Sequence, residues 1–181
     1  MGVQISDIIP RKEIDIKDLK GKIVAIDAYN PLYQFLTTIR QPDGTPLMDK
    51  NGDITSHLSG LFYRNINLLQ EGLKPVYVFD GIPPELKQAE IAKRKKAKQI
   101  AEQKYEEAKS KEDVAGMKKY SGRFVKITDK IIQQSKELLE ALGIPVIQAP
   151  AEGESEAATL ARAGKVYAAA SQDYDALLYG T

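Results

Sequence analysis

Asp27, Asp80, Glu152, Glu154, Asp173 and Asp175 each lie just past a short apolar run. Asp27 follows IVAI, Asp80 follows VYVF, Glu152 and Glu154 follow PVIQAP, and Asp173 and Asp175 follow VYAAAS. Such runs, β-branched and continuously apolar, read as buried parallel strands, and in an open parallel sheet the ligand crevice lies outside the carboxyl ends of the strands. The six acids are therefore expected to converge there. Asp27 or Glu152 alone could be a helix cap. Four strands ending in acids, two of them with an acid-x-acid pair, exceed what capping explains. Glu156, further along the same segment, is expected on an exposed surface.

Six carboxylates in one crevice repel one another, so the site needs raised pKa values or bound cations. Divalent ions are the simpler solution. The chain has no cysteine and one histidine, His57, so the ligands are hard oxygens, which select Mg²⁺ or Mn²⁺ over Zn²⁺. Two such ions can hold a phosphodiester, acidify an attacking water and stabilise the leaving oxygen. The chemistry implied is metal-assisted phosphodiester hydrolysis without a protein nucleophile. Disulfides, thiolate zinc sites and cysteine nucleophiles are excluded, and a single histidine without a partner motif is a poor basis for a Ser-His-Asp triad. A phosphoenzyme on Asp27 is disfavoured because Tyr29 occupies the position where such a site carries a second aspartate.

The elements that must position these acids follow from the pattern. Strands are expected at 22–28, 74–81, 144–150 and 165–173, and helices at about 30–39, 56–71, 128–142 and 153–163. Thr55 or Ser56 can cap the second helix, and Thr128 begins the third, which stops at Gly143. Alternation of strand and helix predicts an α/β fold with a mostly parallel sheet covered by helices on both faces. Residues 41–55, with Asp43-Gly44 and Asn51-Gly52, read as a hairpin or loop. With 181 residues, 43% of them apolar, the chain suits one globular body. It contains no apolar stretch near membrane-spanning length, and MGVQISDIIPRKEIDI places charges where a signal peptide would need an apolar run, which predicts a cytoplasmic protein.

A net charge of +1 hides a strong asymmetry, because residues 84–126 are +6 and the remainder is −5. A basic segment beside an acidic body suits a polyanionic substrate brought to a carboxylate site. From Pro83 to about Tyr120 the pattern is Lys/Glu/Ala/Gln-rich helix, interrupted near Ser110 and Gly116. So polar a pattern predicts two helices forming an arm or arch over the strand ends, with no ordinary core face.

The motifs AIDAYNPLYQFLTTIRQ (25–41), TSHLSGLFYR (55–64), KPVYVFDGIPPELK (74–87), LGIPVIQAPAEGESEAA (142–158) and KVYAAASQDYDALLYG (165–180), with the start MGVQ, run in one order along the chain. In these the chain resembles archaeal flap structure-specific endonucleases, of the structure-specific 5′-nuclease superfamily. The resemblance implies a PIN-like nuclease core over 1–181 with a helical arch inserted at about 82–127. It also implies metal ligation by the six acids, with two Mg²⁺ ions for which Mn²⁺ substitutes. Lys87 and Arg94 would be cationic clamps on the scissile phosphate. Lys93, Lys95 and Lys96, with Lys98, would attract phosphates without taking part in chemistry.

By the same resemblance, Tyr33 stacks on a base near the cleavage site, although it also reads as a half-buried aromatic of the first helix. Arg40 and Arg64 contact DNA around the junction, Gly2 lies close to the DNA, and Thr55 touches an unpaired 3′ nucleotide or simply caps its helix. His57 is expected to be a structural hydrogen-bonding residue. The implied activity is cleavage of 5′-flap DNA near the junction of single strand and duplex, with 5′-3′ exonuclease activity, in replication and repair by a monomer. Relatives in the family run on for a comparable further length. That stretch would hold another metal-binding aspartate, a helix-two-turn-helix element and a sliding-clamp peptide. The competing expectation is a nucleic-acid-binding fragment with weak or no activity.

Overall fold

The computed structural model describes residues 8–10, 12–83, 88–111, 113–122, 125–172 and 174–180; at positions 88–91, 114, 118 and 175 it describes the backbone alone. The elements in chain order are β1 (Ile23–Asp27), α1 (Tyr29–Thr38), α2 (Ser56–Gln70), β2 (Lys74–Phe79), α3 (Gln88–Ser110), α4 (Val114–Ser121), α5 (Asp129–Ala141), β3 (Val146–Gln148), α6 (Gly153–Arg162), β4 (Ala168–Ala170) and α7 (Asp175–Leu178). A single 3₁₀ turn, Ile16–Leu19, precedes β1 and is closed by a capping box between Asp15 and Asp18.

The four strands form one parallel sheet in the order β3-β2-β1-β4. After β1 the chain adds β2 and then β3 on one side, and β4 lands on the other side of β1. The strand order therefore reverses between β1 and β4, which is where a parallel sheet opens its ligand crevice. β3 and β4 are shorter than the expected 144–150 and 165–173. Each lies at an edge of the sheet and pairs on one side only, for three residues.

By its internal contacts the chain divides into two compact units. One comprises 1–30, 62–83 and 136–181, the other 31–61 and 84–135. The sheet belongs to the first. There Ala25, Val78, Ala149, Ala157 and Val166 form a buried cluster of small side chains, over which α6 packs onto β1, β2 and β4. Small residues let the first turn of α6 come close to the strand ends, and that turn carries Glu154. Tyr77 is fully buried, and its phenol oxygen accepts a hydrogen bond from Asn65 Nδ2 at 3.2 Å. α5 ends where Gly143 adopts φ 72°, with Ile144 N–H donating back to the Leu139 carbonyl.

In the second unit Leu36, Val125 and Ile131 pack with Ile54 and Ile127. The expected hairpin at 41–55 is present as two isolated antiparallel bridges, Arg40 to Pro46 and Met48 to Ile54. Ser56 does not cap α2. Its fully buried hydroxyl donates to the Ile39 carbonyl (2.7 Å) and accepts the Leu47 N–H (3.0 Å), tying both arms of the loop to the helix start. Thr55 holds the cap position, its carbonyl accepting the Ser59 N–H.

The basic segment forms two helices, α3 and α4, but the expectation that it lacks a core face needs correction. Ala101, Tyr105 and Ala108 are each 7% exposed, a stripe at i, i+4 and i+7. A Cβ on Gly116 would stand 2.9 Å from the Ala108 Cβ, so α4 closes directly onto this stripe. Two alanines and one tyrosine add little apolar signal among so many charges, which is why the pattern reads as wholly solvated. Tyr105→Ala is expected to cost about 3 kcal/mol by opening a cavity. Chemical denaturation checks it, since loss of an exposed tyrosine would leave the midpoint unchanged.

Candidate metal centre and nucleic-acid interface

The carboxyl ends of β1 and β2 bring two acids against the start of α6. Asp27 closes β1, and its Oδ1 accepts the Tyr29 N–H at 3.1 Å. Asp80 follows β2, and its Oδ1 accepts the Gly153 N–H at 2.6 Å, a bond at the positive end of α6. A Cβ built on Gly153 would stand 3.1 Å from Asp80 Oδ1 and 3.4 Å from Asp27 Oδ1, so both oxygens crowd the same glycine. Glu152 and Glu154 flank it. The Ser171 hydroxyl, just past β4, donates to Glu154 Oε1 at 2.5 Å, and the Tyr179 hydroxyl donates to Glu152 Oε2 at 3.1 Å. Gln148 Nε2 donates to the Asp80 carbonyl at 2.5 Å, and its own side-chain oxygen accepts from Lys136 Nζ at 2.8 Å.

Burial pushes the Asp27 carboxyl up to about 7, and the negative charges of Asp80 and Glu154 push the same way against the hydrogen bond from Tyr29. Loss of solvation is the main cause, and the neighbouring carboxylates add to it. The consequence of this shift for stability has a definite sign. Between about pH 4 and pH 7 the folded chain keeps a proton that the unfolded chain releases, so metal-free protein loses stability as pH rises through that window and levels off above it. The loss amounts to at most about 4 kcal/mol. Thermal melts in chelator from pH 4.5 to 8 should show it, and Asp27→Asn should flatten the dependence.

Oxygen donors of this kind fit a hard divalent cation. Among the described residues, no group of three or more His, Cys, Asp or Glu side chains could by itself hold a metal ion. Mg²⁺ does not require such a cage, because it keeps several waters and takes one or two carboxylates together with substrate phosphate. Asp173 lies outside the described residues. Asp175 begins α7, its side chain likewise outside what is described. Glu156 is partly buried instead of fully exposed.

The cationic and aromatic candidates are distributed over both units. Lys87 and Gly2 lie outside the described residues. Arg94, Lys93, Lys95 and Lys96 are exposed along α3. Tyr33, on α1, is 38% exposed; Lys98 Nζ donates to its hydroxyl at 3.1 Å and stands 4.8 Å from its ring centroid. Lys98, expected only to attract phosphate, thus also holds an aromatic side chain. Arg40 is half-buried and donates to the carbonyls of Thr37 (3.2 Å) and Gly44 (2.8 Å), which fixes its guanidinium on the loop. Arg64, in α2, is also half-buried, and Thr55 is partly exposed.

His57 is fully buried, and neither ring nitrogen has a well-formed hydrogen bond; the Gln134 side chain is its polar neighbour, and burial pushes its pKa down. It is a buried core side chain, and the hydrogen-bonding role expected of it rests on Gln134. Residue types alone did not single out Ser171, Tyr179 or Gln148. Serine, tyrosine and glutamine near an acid are commonplace, and only the fold places them on particular carboxylate or carbonyl oxygens. No helix among the described residues is long and apolar enough to cross a membrane.

Residues 1–101 match the XPG N-terminal domain, and residues 143–181 match the XPG I-region. Flap endonuclease 1 of Pyrococcus furiosus is 58% identical over 180 residues, which is 99% of this chain and 53% of that protein. The solved structure of flap endonuclease-1 from Methanococcus jannaschii superposes with a TM-score of 0.72 at 50% identity, covering 99% of this chain and 57% of the other. The catalytic core of Rad2 in complex with DNA substrate gives a TM-score of 0.66 at 32% identity, over 91% of this chain and 43% of that one. The chain spans about half the length of the curated relatives it matches. From the matched domain over its first 101 residues and the second match at 143–181, the chain belongs to the XPG family.

Proposed function

We propose that the chain is the nuclease core of a metal-dependent, structure-specific endonuclease that cleaves 5′-flap DNA near the junction of single strand and duplex. The observation that carries this reading is the crowding of Asp27 and Asp80 on Gly153 at the carboxyl ends of β1 and β2, with Glu152 and Glu154 on either side. An all-carboxylate set facing a sheet crevice is suited to Mg²⁺ and to phosphodiester hydrolysis, not to chemistry that needs a protein nucleophile. Similarity to archaeal flap endonuclease 1 and to a Rad2 core solved with DNA supports branched DNA as the substrate.

In this reading Asp27, Asp80, Glu152, Glu154, Asp173 and Asp175 serve two Mg²⁺ ions, and bound metal supplies an activated water and charge neutralisation at the phosphate. Lys87 and Arg94 stabilise the charge that develops on the phosphate. Lys93, Lys95 and Lys96 attract the backbone, Tyr33 offers a stacking face, and Gly2, Arg40, Thr55 and Arg64 contact DNA near the junction. The segment 82–127, containing α3 and α4, acts as the arch for the single strand.

End-labelled 5′-flap DNA, incubated with the chain in Mg²⁺ beside an Asp173→Ala control, tests the reading. Junction cleavage that disappears in the control supports it. Flap binding without turnover would instead favour a substrate-binding unit whose chemistry needs residues outside this chain.

A further inference from the structure

All four described acids of the candidate site share one feature: in each, one carboxylate oxygen accepts a hydrogen bond from the protein. Backbone N–H groups serve the two aspartates, from Tyr29 to Asp27 Oδ1 and from Gly153 to Asp80 Oδ1. Side-chain hydroxyls serve the two glutamates, from Ser171 to Glu154 Oε1 at 2.5 Å and from Tyr179 to Glu152 Oε2 at 3.1 Å. The glutamates have the longer, more rotatable side chains, and both lie at the start of α6. Their hydroxyl donors come from the other end of the unit's sequence: Ser171 directly follows β4, and Tyr179 directly follows α7. Asp173 and Asp175 lie between these two donors in sequence.

We propose that Ser171 and Tyr179 are positioning residues that restrict Glu154 and Glu152 to one-oxygen contact with a cation, and so bias the site toward a small octahedral ion over Ca²⁺. The inference rests on the metal reading above. An oxygen already accepting a hydrogen bond is a poor second arm for a bidentate contact, most of all Glu154 Oε1, whose bond from Ser171 is short at 2.5 Å, and less so Glu152 Oε2, whose bond from Tyr179 is 3.1 Å. Ca²⁺ draws on bidentate carboxylates and tolerates irregular geometry at 2.3–2.6 Å, whereas Mg²⁺ and Mn²⁺ favour octahedral sites built from single oxygens, at about 2.0–2.1 Å for Mg²⁺. Hydroxyls that orient ligand carboxylates are ordinarily worth 10–100-fold in metal affinity. Neither residue needs to touch the metal or the substrate for this role.

Calorimetric titration of the metal-free chain with Mn²⁺ and, separately, Ca²⁺ tests the proposal, using wild type, Ser171→Ala, Ser171→Thr, Tyr179→Phe and Glu154→Gln, with folding verified by thermal melts. The expected result is a loss of Mn²⁺ affinity of about tenfold or more in Ser171→Ala and in Tyr179→Phe, with a smaller loss for Ca²⁺, so that the ratio of the two affinities narrows. Ser171→Thr keeps the hydroxyl and is expected to keep the wild-type ratio. An unchanged ratio in both Ser171→Ala and Tyr179→Phe, with Mn²⁺ binding still sensitive to Glu154→Gln, would overturn the proposal alone. Wild-type protein that binds no Mn²⁺, or whose binding ignores Glu154→Gln, would overturn both the proposal and the metal reading beneath it.

Discussion

Asp80→Asn should leave a chain that is more stable without metal and at least about tenfold slower in the proposed Mg²⁺-dependent cleavage. The two changes have one cause. Asparagine retains an oxygen able to accept the Gly153 N–H, so the junction between β2 and the start of α6 survives. What disappears is a negative charge that helps to push Asp27 upward, so the metal-free fold should gain stability at pH 8, where Asp27 is ionised. Removing an anionic donor should cost at least as much as disturbing a group that merely orients one, for which 10–100-fold is typical. Thermal melts in chelator and flap-cleavage rates, measured on the same preparation, check both halves. Loss of rate with loss of stability would mark Asp80 as a structural residue, and gain of stability with full activity would remove it from the site.

Gly81→Ala should disturb folding and the candidate site together. A Cβ there would lie 2.2 Å from the Ala149 carbonyl oxygen and 2.6 Å from that of Pro150, far inside contact distance and against backbone that cannot rotate away. Gly81 N–H also donates to the Ala151 carbonyl, so the glycine pins the exit of β2 to the segment leading from β3 into Glu152. Overpacking of a close-packed site costs about 1–3 kcal/mol and occasionally more, and here the upper end is expected because two main-chain oxygens must move together. The displacement separates Asp80 from the start of α6, so metal affinity should fall along with stability. Denaturation midpoints and Mn²⁺ titrations of Gly81→Ala and Gly81→Ser check this. A variant with wild-type values for both would mean that the two segments can part without consequence.

The strands, and the positions of Asp27 and Asp80 at the ends of β1 and β2, were legible because both signals are local. IVAI, VYVF, PVI and AAA are mainly apolar wherever the chain goes, and an acid directly after such a run, as Asp27 and Asp80 are, stays at the strand's carboxyl end. The helices at 29–38, 56–70, 129–141 and 153–162 were legible for the same reason, from periodicity and from stops such as Gly143. The face of α3 was not, because its stripe of Ala101, Tyr105 and Ala108 is recognisable only when α4 is packed against it. Ser56 looked like a cap from its position, but the loop ends that meet at its hydroxyl come from Ile39 and Leu47.

What the sequence by itself determined is therefore the supply of groups: acids after apolar runs, no cysteine and one histidine, and a basic segment set apart from them. Tertiary structure alone decided the strand order β3-β2-β1-β4, the approach of Gly153 to both aspartates, the upward shift of Asp27 and the hydroxyls on Glu152 and Glu154. The reason is one of range. Propensity and periodicity act over a few residues, whereas Ser171 meets Glu154 across 17 residues and Gly153 meets Asp80 across 73, and such pairings exist only once the sheet has brought the strand ends together.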